Sequence, residues 1–147
     1  MIAVISDPGL FAAIFAALYA AHEVADHWVQ TQHQADHKHE PGRAGWFALL
    51  GHVASYTTTA AIAVGLVVTL CGIHLDTAGG LRLLAGLAIS ALTHGWADRR
   101  HTLAWLATKI GSGPFYQVKS GGISGSYLLD RSFHIGWLFI AALVMAA

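Results

Sequence analysis

Three histidine–aspartate pairs, each spaced four residues apart, lie inside or at the edges of apolar segments of the chain. They are His22 and Asp26 within Ala21–Gln30, His94 and Asp98, and, in reversed order, Asp130 and His134. On a helix this spacing stacks both side chains on one face. Ionisable groups are expensive in an apolar segment and are kept there mainly when they meet partners. Three such pairs therefore restrict the fold to one that lets helices share a polar site.

The solvent follows from composition. Charged residues make up 11% of the chain and hydrophobic residues 55%, against about 25% charged in ordinary soluble domains. A bilayer is the expected environment, and the alternative is a soluble helical bundle with an unusually apolar surface. The formal net charge is zero with histidine neutral, so no basic footprint points to nucleic acid. The single cysteine, Cys71, excludes an intramolecular disulfide and a multi-cysteine zinc site. It reads as a small apolar filler near a helix end. The N-terminus lacks a basic region and a cleavage site, so the first apolar helix is expected to insert and stay.

Four helices are expected, in one domain spanning residues 1–147. Ser6-Asp7-Pro8-Gly9 supplies a helix start. From there the chain is apolar from Leu10 to Ala21 and amphipathic through about Gln34. The purely apolar part falls short of the roughly 20 residues a spanning helix needs, so the turns around His22–Gln30 must also lie in the membrane, facing protein. Thr31–Gly45 reads as a solvated polar connection, with His33, His37 and His39 outside any site. Trp46–Ile73 is the cleanest span, interrupted by His52. A third helix is expected over Leu81–Ile110 and a fourth over Tyr127–Ala147. The Gly/Ser-rich stretch Phe115–Ser126 between them reads as a flexible loop able to act as a lid, and no strand pattern is evident. The fold class is all-α, an integral membrane four-helix bundle.

Lys38 and Arg43 lie between helices 1 and 2, and Arg99, Arg100, Lys109 and Lys119 between helices 3 and 4, with Arg131 just beyond. Arg82 stands alone on the opposite side. The positive-inside rule then makes the two richer connections cytoplasmic and puts both termini outside. At about 1.5 Å of rise per residue, His22, His94 and His134 lie roughly 20 Å from the outer ends of their helices, and His52 roughly 30 Å. All four helices place their ionisable groups in the cytoplasmic half of the bilayer.

His22, Asp26, His94, Asp98, Asp130 and His134 are thus candidate metal ligands, with His52 as a further group. Mixed nitrogen and oxygen donors suit a divalent metal, zinc first and manganese or iron as alternatives. Six or seven ligands exceed one tetrahedral zinc, so the set fits two metals, or one metal with hydrogen-bonded supporting groups. The plainer alternative is that the pairs lock helices together, with Arg99, Arg100 and Arg131 neutralising carboxylates. Glu23 and His27 form another four-apart pair, rotated about 100° from the first.

The motifs taken together resemble a family of small bacterial and phage membrane proteins known as a domain of unknown function. The early H-x-x-x-D-x-x-x-Q of that family matches His22, Asp26 and Gln30, and its mid-chain histidine helix matches the one carrying His52. Its later H-x-x-x-D matches His94 and Asp98, and its final L-D-x-x-x-H matches Leu129, Asp130 and His134. The resemblance implies a multi-helix fold in a bacterial inner membrane and no particular activity. More distantly, the pattern is similar to membrane-bound metal-dependent hydrolases and to the H-x-x-x-D sites of cation-diffusion transporters.

The leading expectation is a metal-dependent hydrolase acting on a lipid or amphiphilic substrate at the cytoplasmic interface, with Glu23 or His52 as catalytic base. The alternatives are divalent-metal binding or transport, and a structural, phage-type membrane component that assembles as a homo-oligomer. A polar path running outward past Tyr56 and Thr59 would favour transport.

Overall fold

Asp7 caps the first helix: its carboxylate accepts the Leu10 N–H at 3.0 Å, and Pro8 follows at a position where its missing N–H costs nothing. The structure, a computed structural model, describes residues 7–147; Ser6, expected to share in this cap, lies outside them. Helix α1 runs Pro8–Val24 and then widens into a π-helical turn, Ala25–Val29, in which the Gln30 N–H bonds the Ala25 carbonyl at 2.8 Å. Such turns concentrate at functional sites because the extra residue re-aims the side chains beside it. Here the re-aimed residue is Asp26.

The amphipathic helix expected through Gln34 therefore stops at Val29. The chain restarts at Thr31 with a capping box, the Thr31 hydroxyl on the Gln34 N–H and the Gln34 side chain on the Thr31 N–H. This opens α2 (Gln32–His37), so the connection expected to be solvated is partly helical. Helix α3 (Gly42–Leu70) follows. Cys71 caps its C-terminus and is exposed, in place of the expected filler role.

Helix α4 (Thr77–Asp98) does not continue to Ile110 as the apolar pattern suggested. It ends at a tight turn centred on Arg100, where the His101 N–H bonds the Arg99 carbonyl two residues back, and α5 (His101–Lys109) leaves in a new direction. The stretch expected to be a loop is also built. A short helix α6 (Gly113–Tyr116) leads into a two-stranded hairpin, β1 (Lys119–Ser120) against β2 (Ile123–Ser124). The hairpin turns on Gly121 and Gly122, both at positive φ, which glycine adopts without strain. Helix α7 (Gly125–Ala146) closes the chain.

The four long helices α1, α3, α4 and α7 each pack against two of the others, with α4 and α7 in the most extensive contact. Gly86 explains that approach: a Cβ there would collide with the Met145 side chain and the Ala141 carbonyl. One half of the interior is purely apolar, built from Ile14, Leu18, Ala60, Val64, Leu138, Ala141 and Met145. The other half carries the ionisable groups. Large apolar side chains cover the outside, among them Trp28 at 86% and Leu70 at 82% exposure. Three segments, Pro8–Val29, Gly42–Leu70 and Gly125–Ala146, are long and apolar enough to cross a membrane.

Candidate metal centre

The C-terminal ends of α1 and α4 and the third turns of α3 and α7 meet and bring the separated histidines and aspartates together. His52 from α3 and His94 from α4 face each other, their Nε2 atoms 2.9 Å apart. Asp26 Oδ1 lies 3.4 Å from His52 Nε2 and 3.5 Å from His94 Nε2, and Asp98 Oδ2 lies 3.2 Å from each. Two imidazole nitrogens and two carboxylate oxygens thus converge from three helices. His22 Nε2 sits 3.4 Å from the other Asp26 oxygen, Oδ2, and His134 Nε2 lies 3.6 Å from Asp130 Oδ1. His22, Asp26, His94 and His134 each offer a ligand atom within 4.8 Å of the others, and His52, His94 and Asp98 form a second such group.

Of the six expected ligands and His52, the structure brings His22, Asp26, His52, His94, Asp98 and His134 together. Asp130 stands at the edge, paired among the described residues only with His134 and outside both groups of mutually close ligand atoms. His33, His37 and His39 stay out of the cluster. Outside the membrane segments, burial and then the charge of nearby Arg100 push the His39 imidazole below its ordinary pKa.

Whether these residues suit a metal can be tested on the atoms themselves. A tetrahedral zinc with ligands at 2.0–2.1 Å has ligand–ligand edges of about 3.3 Å. The His52–His94, Asp26–histidine and Asp98–histidine separations range from 2.9 to 3.5 Å. Asp26 and Asp98 fall in separate groups of mutually close ligand atoms, Asp26 with His22, His94 and His134, and Asp98 with His52 and His94. Asp26 Oδ1, Asp98 Oδ2, both nitrogens of His22 and His134 Nε2 are buried without a hydrogen-bond partner. Buried polar atoms are paired in the great majority of cases, so a cluster of orphans calls for a missing partner. A cation would satisfy them together. The donor set fits.

Two members of the site were not expected from sequence. Lys38, read as a loop charge, is only 8% exposed. Its Nζ lies 2.7 Å from Asp98 Oδ1 and 2.6 Å from Gln30 Oε1. Arg99 holds it there by donating to the Lys38 carbonyl at 3.2 Å while its guanidinium stacks 4.8 Å over the Trp46 ring. Lys38 thereby occupies one oxygen of Asp98 and turns the other toward the histidines. The only local hint was Gln30, last residue of the early motif. Tyr56 is the second such residue: its ring stacks on His94 at 3.9 Å between centroids and its hydroxyl meets Ser90 Oγ at 2.5 Å, which sets the plane of the imidazole.

Glu23, a candidate base, is held elsewhere. Its carboxylate pairs with Arg131 Nε at 3.1 Å, and Arg131 also donates to the Tyr19 hydroxyl at 2.9 Å. His52 is fully buried in the cluster. Asp130, by contrast, lines an open cavity of about 490 Å³ that reaches Asp26, Asp98 and His22 from outside, between α2, α5 and the hairpin.

Comparison of the chain with known family models, characterised proteins and solved structures finds no match, so the family resemblance rests on its motifs.

Proposed function

We propose that the protein is a four-span membrane protein whose cytoplasmic end holds a divalent metal, zinc first, and that it hydrolyses an amphiphilic substrate there. The observation that carries this reading is the convergence of two overlapping ligand groups that share His94, one of His22, Asp26, His94 and His134 and one of His52, His94 and Asp98, beside an open cavity. Helix α4 is not among the three segments apolar enough to cross a membrane by composition, but its 22 residues and its packing between α3 and α7 support its reading as the fourth span. The excess of lysine and arginine at the site end makes it cytoplasmic and leaves both termini outside, in the inner membrane of a bacterium by the motif resemblance.

A divalent cation in such a site supplies Lewis acidity and lowers the pKa of water to about 7. The chain's own residues do the rest. Lys38 orients Asp98, and Tyr56 orients His94. Asp130, on the cavity wall, takes the proton that the attacking water loses and returns one to the leaving oxygen as the ester bond breaks. This role was expected of Glu23 or His52. The Arg131 pairing of Glu23 and the burial of His52 favour Asp130 instead.

Transport uses the same ligands but needs a polar path onward. Beyond Tyr56 and Ser90 the interior is Leu18, Ala60, Val64, Leu138 and Ala141, and the Thr59 hydroxyl is turned back onto the Ser55 carbonyl. That plug favours the hydrolytic reading. The test is elemental analysis of protein purified without a metal-affinity tag, paired with ester hydrolysis assays before and after chelation. Metal-free protein that stays folded and active would overturn it.

A further inference from the structure

Of the four Lys/Arg side chains lining the cavity, two are already engaged. Lys38 is held by Asp98 and Gln30, and Arg131 by Glu23 and Tyr19. Arg100 and Lys119 also face the cavity, and among the described residues neither has a carboxylate partner. The carboxylates on the wall do not answer them. Asp26 and Asp98 are turned to histidines or Lys38, and Asp130 faces His134. Two free cations therefore line one cavity, one at the α4–α5 turn and one on the hairpin. The hydroxyl-bearing residues Tyr116, Ser126 and Tyr127 line the same space.

Arg100 stands in an unusual backbone. Its φ of 56° and ψ of −48°, with the His101 N–H bonded to the Arg99 carbonyl at 2.5 Å, make a γ-turn of the rare, strained hand. Glycine would occupy this position without penalty. Strained non-glycine residues gather at ligand clamps, where the side chain is needed more than the backbone is comfortable.

A second cavity adjoins the first. Leu103 of α5 lines both, and from it an apolar groove of about 170 Å³ runs between α5 and α7 past Leu106, Ile110, Leu129 and Phe133. A polar chamber with spare positive charge, sharing its Leu103 wall with an apolar groove, matches an anionic head on a hydrocarbon tail.

Resting on the reading above, we propose that the substrate is a phosphate-bearing membrane lipid. Its phosphate group is held by Arg100 and Lys119 beside the metal cage, and one acyl chain lies in the Leu103–Phe133 groove. Guanidinium and ammonium groups both recognise phosphate, the former through paired donors.

The test is native mass spectrometry of the full chain in a nonionic detergent, titrated with phosphatidic acid, diacylglycerol of the same chains, and inorganic phosphate, with metal content measured on the same samples. Phosphatidic acid is expected to bind at least about tenfold more tightly than diacylglycerol, and Arg100→Gln and Lys119→Gln each to lose about tenfold, with metal content unchanged. Ser132→Trp, at an exposed position on the groove wall, should weaken phosphatidic acid and leave phosphate binding alone. Equal binding of diacylglycerol, or indifference to both cation variants, overturns the phosphate site. Phosphate binding as tight as phosphatidic acid, with no effect of Ser132→Trp, overturns the lipid and points to a soluble phosphoester. Metal-free protein that still selects phosphatidic acid through Arg100 sinks the metal reading and leaves this one standing.

Discussion

His52 Nε2 and His94 Nε2 lie 2.9 Å apart, and each also faces the carboxylates of Asp26 and Asp98 within 3.5 Å. A proton between the two nitrogens would satisfy one hydrogen bond and leave the carboxylate oxygens unanswered. A divalent cation would answer both nitrogens and the Asp98 oxygen together, and the Asp26 oxygen would join His22, His94 and His134 in the adjoining group. Replacing His94 or Asp98 by alanine is therefore expected to remove most of the bound metal, while His37→Ala leaves it intact. Mass spectrometric metal counts across the variants check this. Retention of metal in both site variants would place the ion elsewhere.

Lys38 acts on the site through Asp98. Lys38→Met, which keeps the stem and removes the charge, should lower metal affinity about ten- to a hundredfold, the range typical of groups that orient a ligand. In the intact protein Lys38 should react with an amine reagent far more slowly than exposed Lys109, because its ammonium is buried between Asp98 and Gln30. Equal labelling rates would contradict this placement.

Arg100 carries a conformational cost that a ligand role would offset. Arg100→Gly should raise the stability of the protein by about 1 kcal/mol, the low end of the cost of a strained backbone, while weakening phosphate binding. Thermal unfolding in detergent compared with wild type measures the first effect. A clear loss of stability would mean that the side chain supports the fold itself.

Helices α4 and α7 touch where Gly86 leaves room. Gly86→Val is expected to destabilise by about 1–3 kcal/mol, as overpacking does, since its Cβ meets Met145 and the Ala141 carbonyl. Metal binding at the other end should fall only as far as the folded fraction falls. Chemical denaturation followed by fluorescence would read it, and an unchanged midpoint would show that the two helices can move apart at no cost.

The charge asymmetry predicts orientation. Lys109 and Lys119 should be labelled by a membrane-impermeant reagent only after the cytoplasmic face is opened, and the protein should need detergent or lipid to stay monodisperse. Labelling of both from outside intact cells reverses the topology.

The sequence by itself determined the helical class, the apolar segments and the end of the molecule where charge gathers. Those depend on local periods: a four-residue spacing on a helix brings His94 beside Asp98, and His22 toward Asp26, on one face. It also carried the side chains of His22, Asp26, His52, His94, Asp98 and His134 that meet, because groups so costly in an apolar segment are tolerated chiefly where they find one another. Tertiary structure decided the rest. The π-turn at Ala25–Val29 rotates Asp26 between His22 and the His52–His94 pair, and no sequence period encodes that extra residue. The stretch around Arg100 looks helical in composition, yet the chain breaks there and α5 beyond the break packs against α7. Lys38 reads as a loop charge until Arg99, 61 residues away, clamps its carbonyl and seats its ammonium on Asp98. Contacts over such separations are set by how helices rotate and pack against one another, which pattern and spacing leave open.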